Sequence, residues 1–275
     1  MRDFRQPTAL PSPKRALGLP PAVILVGGHE SNAGRALLPH LHTYGACAVA
    51  PVGPGLGKAL ADALSRTEGP VCVVPMTLGR DPGLVAGAAN LVRRTALSRP
   101  AGRRLVFTRP LGLEGQLDGW LLEALSRGPS LGRAADNAVL VTAAPAGPVA
   151  DGALRSAARR LARHTTAHVT AALERGSVVE AETERLRRLG ARRIVVISAG
   201  LAVPRVSWAP DVFDMGPLLG PSSIRSLVGA RCAAALHDLA MHEDDGVTAV
   251  LGPHPEHRRA EPVHDARPHP REDER

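Results

Sequence analysis

Short apolar runs, too brief for helices and unbroken by polar residues, constrain this chain more than any other feature. Ala22-Val23-Ile24-Leu25-Val26 runs into Gly27-Gly28, and Val71-Cys72-Val73-Val74 ends at Pro75. Such runs read as strands buried on both faces, the pattern of a parallel sheet. Between and after them the periodicity changes to that of helices. Gly34 to Tyr44 reads as a helix with Ala36, Leu37, Leu38 and Leu41 on its apolar side and Pro39 as its weak point. Ala46 to Ala50 is a second strand, Pro51 to Gly57 a loop and Lys58 to Ser65 a helix. A helix over Leu84 to Arg94, a strand over Leu105 to Phe107 and a helix over Gln116 to Leu125 complete one series.

The order then begins again. Ala138 to Val141 is a strand, Ala153 to His164 a basic helix and Ala167 to Leu173 a strand. Val178 to Leu189 is a charged helix stopped at Gly190, Ile194 to Ile197 a strand, and Ser222 to Met241 the last long helix. The two series echo each other: Val106-Phe107-Thr108-Arg109-Pro110-Leu111-Gly112 matches Val212-Phe213-Asp214-Met215-Gly216-Pro217-Leu218-Leu219-Gly220 with two residues inserted. Alternating strands and helices imply parallel sheets covered on both faces. The expected fold is therefore α/β, two tandem similar lobes, each a parallel four-stranded sheet flanked by helices. The expected division is a disordered leader over 1–20, lobes over 21–130 and 131–245, and a disordered tail over 246–275 that is charged, Pro-rich and carries His254, His257, His264 and His269. Those histidines fit weak metal binding or a plain solvated tail, and their spacing fits no closed zinc motif.

Composition narrows the function classes. The net charge of +8, from 34 basic and 26 acidic residues, would attract polyanionic partners, although scattered arginine is the plainer account of it. Nucleic acid is not expected: aromatics are 2% of the chain, too few for base stacking. The three cysteines Cys47, Cys72 and Cys232 form no CxxC pair, and Cys47 and Cys72 read as buried free thiols suited to a reducing cytoplasm. No apolar stretch approaches the ~18 residues that span a bilayer, so no membrane segment is expected. Gly53-Pro54-Gly55-Leu56-Gly57-Lys58-Ala59 imitates a phosphate loop but is one residue short and lacks the hydroxyl, so it reads as a tight turn into a helix.

Gly27-Gly28-His29-Glu30-Ser31 is the first place where chemistry gathers. It follows the first strand, where parallel sheets bind ligands. His29 can ligate a metal or accept a proton near neutral pH, and Glu30 adds a carboxylate. A loop histidine with a structural hydrogen bond is the plainer alternative.

That strand, followed by Gly28-His29-Glu30-Ser31-Asn32 at the head of a repeated α/β chain, resembles the class II chelatases, the sirohydrochlorin cobalto- and ferrochelatases of the CbiX type. The family usually shows Gly-His-Gly-Ser-Arg here. His29 and Ser31 match, Glu30 stands for Gly and Asn32 for Arg. Leu186-Arg187-Arg188-Leu189-Gly190-Ala191-Arg192-Arg193-Ile194-Val195-Val196-Ile197 is similar to the family's helix–glycine–strand unit, and the resemblance runs over roughly 22–240. It implies a chelatase-like fold and a lyase reaction in cobalamin or siroheme biosynthesis. Co²⁺ or Fe²⁺ would be the substrate metal, a tetrapyrrole such as sirohydrochlorin the partner, with no organic cofactor. The family places a second histidine after the third strand. The matching segment Pro75-Met76-Thr77-Leu78-Gly79-Arg80-Asp81-Pro82-Gly83 has none and offers Asp81 instead, with Arg80 beside it to repel a cation. The implied metal set is His29, Glu30 and Asp81, with His29 also catalytic. Ser31, Arg35, Arg80 and Arg109 are the implied substrate contacts. Insertion needs the ion stripped of water and two pyrrole protons removed, and one imidazole serves as ligand or base, not both at once. The alternative is a non-catalytic relative that binds a tetrapyrrole or metal without inserting it.

Overall fold

The computed structural model describes residues 19–43, 45–98, 104–113, 115–128, 136–173, 178–202 and 209–252. The expected leader up to residue 18, Tyr44, and the histidine tail from residue 253 lie outside the described residues.

Among the described residues, eight strands form two four-stranded parallel sheets. The first holds β1 (Ala22–Gly27), β2 (Ala48–Pro51), β3 (Val71–Met76) and β4 (Leu105–Phe107) in the order β2-β1-β3-β4. The second holds β5 (Asn137–Ala143), β6 (His168–Leu173), β7 (Arg193–Ser198) and β8 (Val212–Asp214) in the order β6-β5-β7-β8. The two orders are the same once the second series is renumbered from one, so the sequence echo is a structural repeat. The α-helices among the described residues are α1 (Pro54–Arg66), α2 (Pro82–Ser98), α3 (Gln116–Arg127), α4 (Pro148–Leu161), α5 (Val178–Arg188), α6 (Pro221–His242) and the short α7 (Thr248–Leu251).

The runs are continuously apolar because both faces of each sheet are buried. In the first sheet Ile24, Val26, Val73 and Phe107 pack outward against Leu56 and Leu60 of α1 and Ala88 and Val92 of α2. In the second, Leu140, Ile194 and Val196 pack outward against Val179 and Leu186 of α5. The inner faces share one cluster that takes in Leu25, Val74 and Val106 from the first sheet and Val139, Val141 and Ile197 from the second. The helices that fill it are exchanged between the halves. α3 follows the first sheet but packs on α4 and β7, while α6 follows the second sheet but packs on β3 and β4. Cys72 of β3 accordingly meets Cys232 of α6, both buried. The shared hydrogen bond and burial push the Cys72 thiol up, keeping it protonated. Cys47, expected to be buried, is exposed at the entry to β2, an edge strand of the sheet, where its Sγ donates to the Val23 carbonyl at 3.2 Å.

Four local expectations give way. The helix expected from Gly34 is a 3₁₀ segment, Arg35–His40, because Gly34 enters it at φ +87° and Pro39 sits inside it. β3 continues through Pro75 rather than ending there. Pro75 pairs with Val26, and its carbonyl accepts the Leu111 N–H at 3.0 Å on the opposite side, beyond the end of β4. A strand residue points N and O to the same side, so the missing N–H falls where no ladder bond is required. The loop expected to run to Gly57 is shorter: the tight turn into a helix expected at the false phosphate loop holds, but Gly53 makes it at φ +100° and Pro54 already takes the first position of α1, ahead of Lys58. Residues 246–252, assigned to the tail, are packed. Gly246, at φ +79°, passes under the Phe107 carbonyl, the Phe107 N–H donates to the Asp245 carbonyl at 2.7 Å, and Val247 is buried against the first sheet.

Candidate functional site

Three loops at the carboxyl ends of the strands converge on His29 and Glu30. The first loop doubles back sharply. Asn32, Ala33 and Gly34 all have positive φ, and Gly34 comes to rest on Gly27, where an added Cβ would lie 2.3 Å from the Gly34 Cα. Two consecutive non-glycine residues in the left-handed region are unfavourable by about 1–2 kcal/mol each. Ser31 offsets part of this: its hydroxyl donates to the Gly28 carbonyl at 3.2 Å and accepts the Gly34 N–H at 3.2 Å. Ser31 is fully buried, so the residue expected to touch substrate holds the turn together.

The second loop follows β3. The Thr77 hydroxyl accepts the Gly79 and Asp81 N–H groups, each at 3.1 Å. The Glu30 carboxylate crosses into this loop and accepts the Leu78 N–H on one oxygen and the Arg80 N–H, at 3.0 Å, on the other. Burial raises the Glu30 pKa against the opposing pull of the Leu78 N–H and the Arg80 charge. Glu30 is 2% exposed, and both of its oxygens are committed to backbone donors. The oxygen ligand expected there is a strut between two loops.

Asp81 starts α2. One carboxylate oxygen accepts the Leu84 N–H at 2.8 Å, and the other lies 2.7 Å from His29 Nδ1. Burial pushes this carboxyl up, but the His29 bond and the Leu84 N–H outweigh it and leave the pKa below its ordinary value. Gly28 makes the approach possible, since a Cβ there would stand 2.3 Å from the Asp81 oxygen. The ring therefore donates through Nδ1, and in the neutral imidazole the lone pair falls on Nε2. Nε2 is closed off from solvent and has no hydrogen-bond partner among the described residues. An unmet buried nitrogen beside an oriented one calls for an explanation, and a ligand supplies one.

The third loop comes from the second sheet. Leu201 and Ala202 donate to the Glu30 carbonyl at 2.9 and 3.0 Å. The Arg80 guanidinium, expected to stand beside Asp81, turns away from it, donating to the Ala144 carbonyl at 3.2 Å and approaching Asp151 at 3.7 Å. Asp151 also accepts the Ala146 N–H at 2.8 Å. Arg80 and Asp151 are both buried, so this pair joins the loop after β3 to the loop after β5 instead of facing solvent.

Of the seven expected residues, His29, Glu30, Ser31, Arg80 and Asp81 are brought together. Arg35 is exposed at the start of the 3₁₀ segment, and Arg109 is exposed after β4. β4 lies two places from β1, about 10 Å across the sheet. Among the described residues no three His, Cys, Asp or Glu side chains form a group that could enclose a metal. The site is a histidine–carboxylate pair with one buried, unpartnered nitrogen.

No family model matches the sequence, and no curated protein matches it. Solved structures do resemble it. SirB from Bacillus subtilis, determined with Fe³⁺, aligns at a TM-score of 0.53 and 12% identity, covering 82% of this chain and 99% of that one. The likeness is one of fold. DR2241 from Deinococcus radiodurans, a multi-domain protein described as structurally similar to chelatases with two additional novel domains, aligns at a TM-score of 0.46 and 20% identity, covering 78% of this chain. The present chain spans about half of DR2241's length, at 54%.

Sequence reading missed Asp151, the carboxylate that meets Arg80. Its only signal is an acidic residue four positions beyond Gly147, in the first turn of a helix. Nothing in the spacing announces a partner 71 positions upstream.

Proposed function

We propose that this protein inserts Co²⁺ or Fe²⁺ into a sirohydrochlorin-like tetrapyrrole, with His29 as the principal ligand or base. The observation that carries the reading is the unpartnered Nε2 of an imidazole oriented by Asp81, at the strand tips where two sheets of a SirB-like fold meet.

In this reading the Asp81 carboxylate does two things. It fixes the ring so that Nε2 presents a lone pair, and it offsets the positive charge that builds on the imidazole when Nε2 takes a pyrrole proton or a cation. The metal is substrate, so a loose two-residue site suits it better than a closed cage: the ion must leave for the macrocycle. Nitrogen and oxygen donors both suit these ions. Glu30 and Arg80 hold the loop after β3 in place beneath His29, Glu30 through the Leu78 and Arg80 N–H groups and Arg80 through Ala144 and Asp151. Arg35 is the contact for substrate carboxylates in this reading.

The test is spectroscopic. The full chain is mixed with sirohydrochlorin and Co²⁺ or Fe²⁺, and the absorbance change is compared with the uncatalysed rate. Acceleration that disappears in His29→Ala and falls in Asp81→Asn is the expected result. No acceleration, or acceleration indifferent to His29→Ala, removes the reading; tetrapyrrole binding without acceleration leaves a non-catalytic binder instead.

A further inference from the structure

A cavity of about 470 Å³ opens beyond the end of β4. Its walls come from both halves of the chain: Phe107 to Pro110 from the first, and one face of α6 with the returning segment 244–250 from the second. It exists because α6 crosses over to the first sheet. On α6 the lining residues are Arg231, Ala234, Ala235 and Asp238, spaced to share one face of the helix.

The cavity is lined by two arginines and two aspartates. Arg109 and Arg231 both line the cavity, near enough for the Arg109 charge to act on Arg231. Arg231 is held in place by donating to the Leu111 carbonyl at 3.1 Å, yet its Nε is buried without a partner. Burial and the neighbouring Arg109 charge keep Arg231 below the ordinary arginine value. Neither guanidinium has a carboxylate within ion-pair distance among the described residues. Two unpaired cations sharing one partly desolvated corner repel each other, and an oxyanion is the group that relieves both. Asp238 stands two helical turns and about 10 Å from Arg231 along α6. Asp244 also lines the cavity, but its carboxylate accepts the Gly246 N–H at 2.8 Å. Ala234 and Ala235 form an uncharged floor between Arg231 and Asp238. Two cations beside two carboxylates, Asp238 and Asp244, admit one anionic head group at the arginines and disfavour a second elsewhere in the cavity.

We infer that this cavity binds a small organic molecule with a single oxyanionic head, a carboxylate or a phosphate monoester, held by Arg109 and Arg231 with its apolar body over Ala234 and Ala235. The volume falls within the range of small-molecule pockets. The site shares no residue with the His29–Asp81 pair and does not rest on the chelatase reading.

The experiment is titration calorimetry on the full chain with three probes: phenylacetate, phenyl phosphate and inorganic phosphate. One of the two aromatic anions should bind saturably at one site and at least about tenfold more tightly than inorganic phosphate; which of the two wins identifies the head group. Arg109→Gln and Arg231→Gln should each weaken that binding about tenfold or more, and His29→Ala should leave it unchanged. Arg109 is exposed, so its variant tests the idea even if Arg231→Gln disturbs folding through the lost Leu111 bond. The inference is overturned if neither aromatic anion saturates, if Arg109→Gln binds like the wild type, or if inorganic phosphate binds as well as the aromatic probes.

Discussion

Replacing Gly28 with alanine should uncouple His29 from Asp81 without altering either residue. Gly28 has φ −121° and ψ −155°, an extended conformation open to any amino acid, so the backbone tolerates the change. The added Cβ would lie 2.3 Å from the Asp81 oxygen and 3.2 Å from Leu84 Cδ2. A carbon–oxygen contact relaxes at about 3.3 Å, so the carboxylate must retreat by about 1 Å. Starting from 2.7 Å, that takes His29 and Asp81 beyond hydrogen-bond range. A hydrogen bond to a charged group contributes about 1.5–3 kcal/mol, and the partial exposure of this pair lowers the figure to about 1–2 kcal/mol. For a chain of this size that corresponds to a fall of about 2–8 °C in Tm. The decisive assay is imidazole ¹⁵N NMR beside a thermal melt: the Nδ1–H signature of His29 should be lost in Gly28→Ala. The losses in Gly28→Ala and Asp81→Asn should not add in the double variant, since both act on one contact. An unchanged ¹⁵N pattern together with an unchanged Tm would show that Gly28 does not set this contact and that the pair is not coupled as described.

Three further outcomes can be checked on stability alone. Asp81 has a lowered folded pKa, so its contribution is complete above the unfolded value near about 4 and is lost as pH falls through the lower folded value; urea midpoints of wild type and Asp81→Asn should differ by a constant amount above about pH 5 and converge as pH falls below the unfolded value. Gly246→Ala places a Cβ 1.9 Å from the Phe107 carbonyl at φ +79°, so the returning segment should detach at a cost of about 2–4 kcal/mol, with faster hydrogen exchange at the Phe107 amide as the readout. Arg104, 9% exposed, donates to the carbonyls of Leu64, Thr67 and Gly69 at the end of α1, and Arg104→Met should lower the urea midpoint by the equivalent of about 2–4 kcal/mol at unchanged m-value.

The sequence made the sheets legible because burial on both faces leaves a continuous signature. Val23 through Val26 and Ile194 through Ile197 are buried without exception, so no polar residue breaks the run. The site was half legible for a related reason. His29, Glu30 and Asp81 follow strand ends, where topology gathers loops, but residue type does not say which way a side chain turns. Glu30 and Arg80 carry the charges a binding site would use, and they spend them on backbone groups and on Asp151. Cys47 misled for the opposite reason: it enters β2, an edge strand, where an apolar neighbourhood in sequence coincides with an open side in space.

The exchange of α3 and α6 is what no local pattern could reveal, and it decides how the site is held. Each helix looks like the natural cover for the sheet that precedes it, and each covers the other sheet instead. Neither sheet can then bury its inner face with its own half of the chain, and the two halves are stabilised as one unit around the shared cluster. That couples the strand tips. The Arg80–Asp151 pair and the bonds from Leu201 and Ala202 to Glu30 are interactions between halves that are already committed to each other. They can therefore position loops rather than supply cohesion. A buried ion pair contributes little net stability against an apolar substitute, but it fixes geometry wherever the surrounding apolar packing supplies the binding energy. The polar junction beneath His29 can exist because the exchanged helices carry the stability, leaving the loops around Nε2 free to be shaped by chemistry.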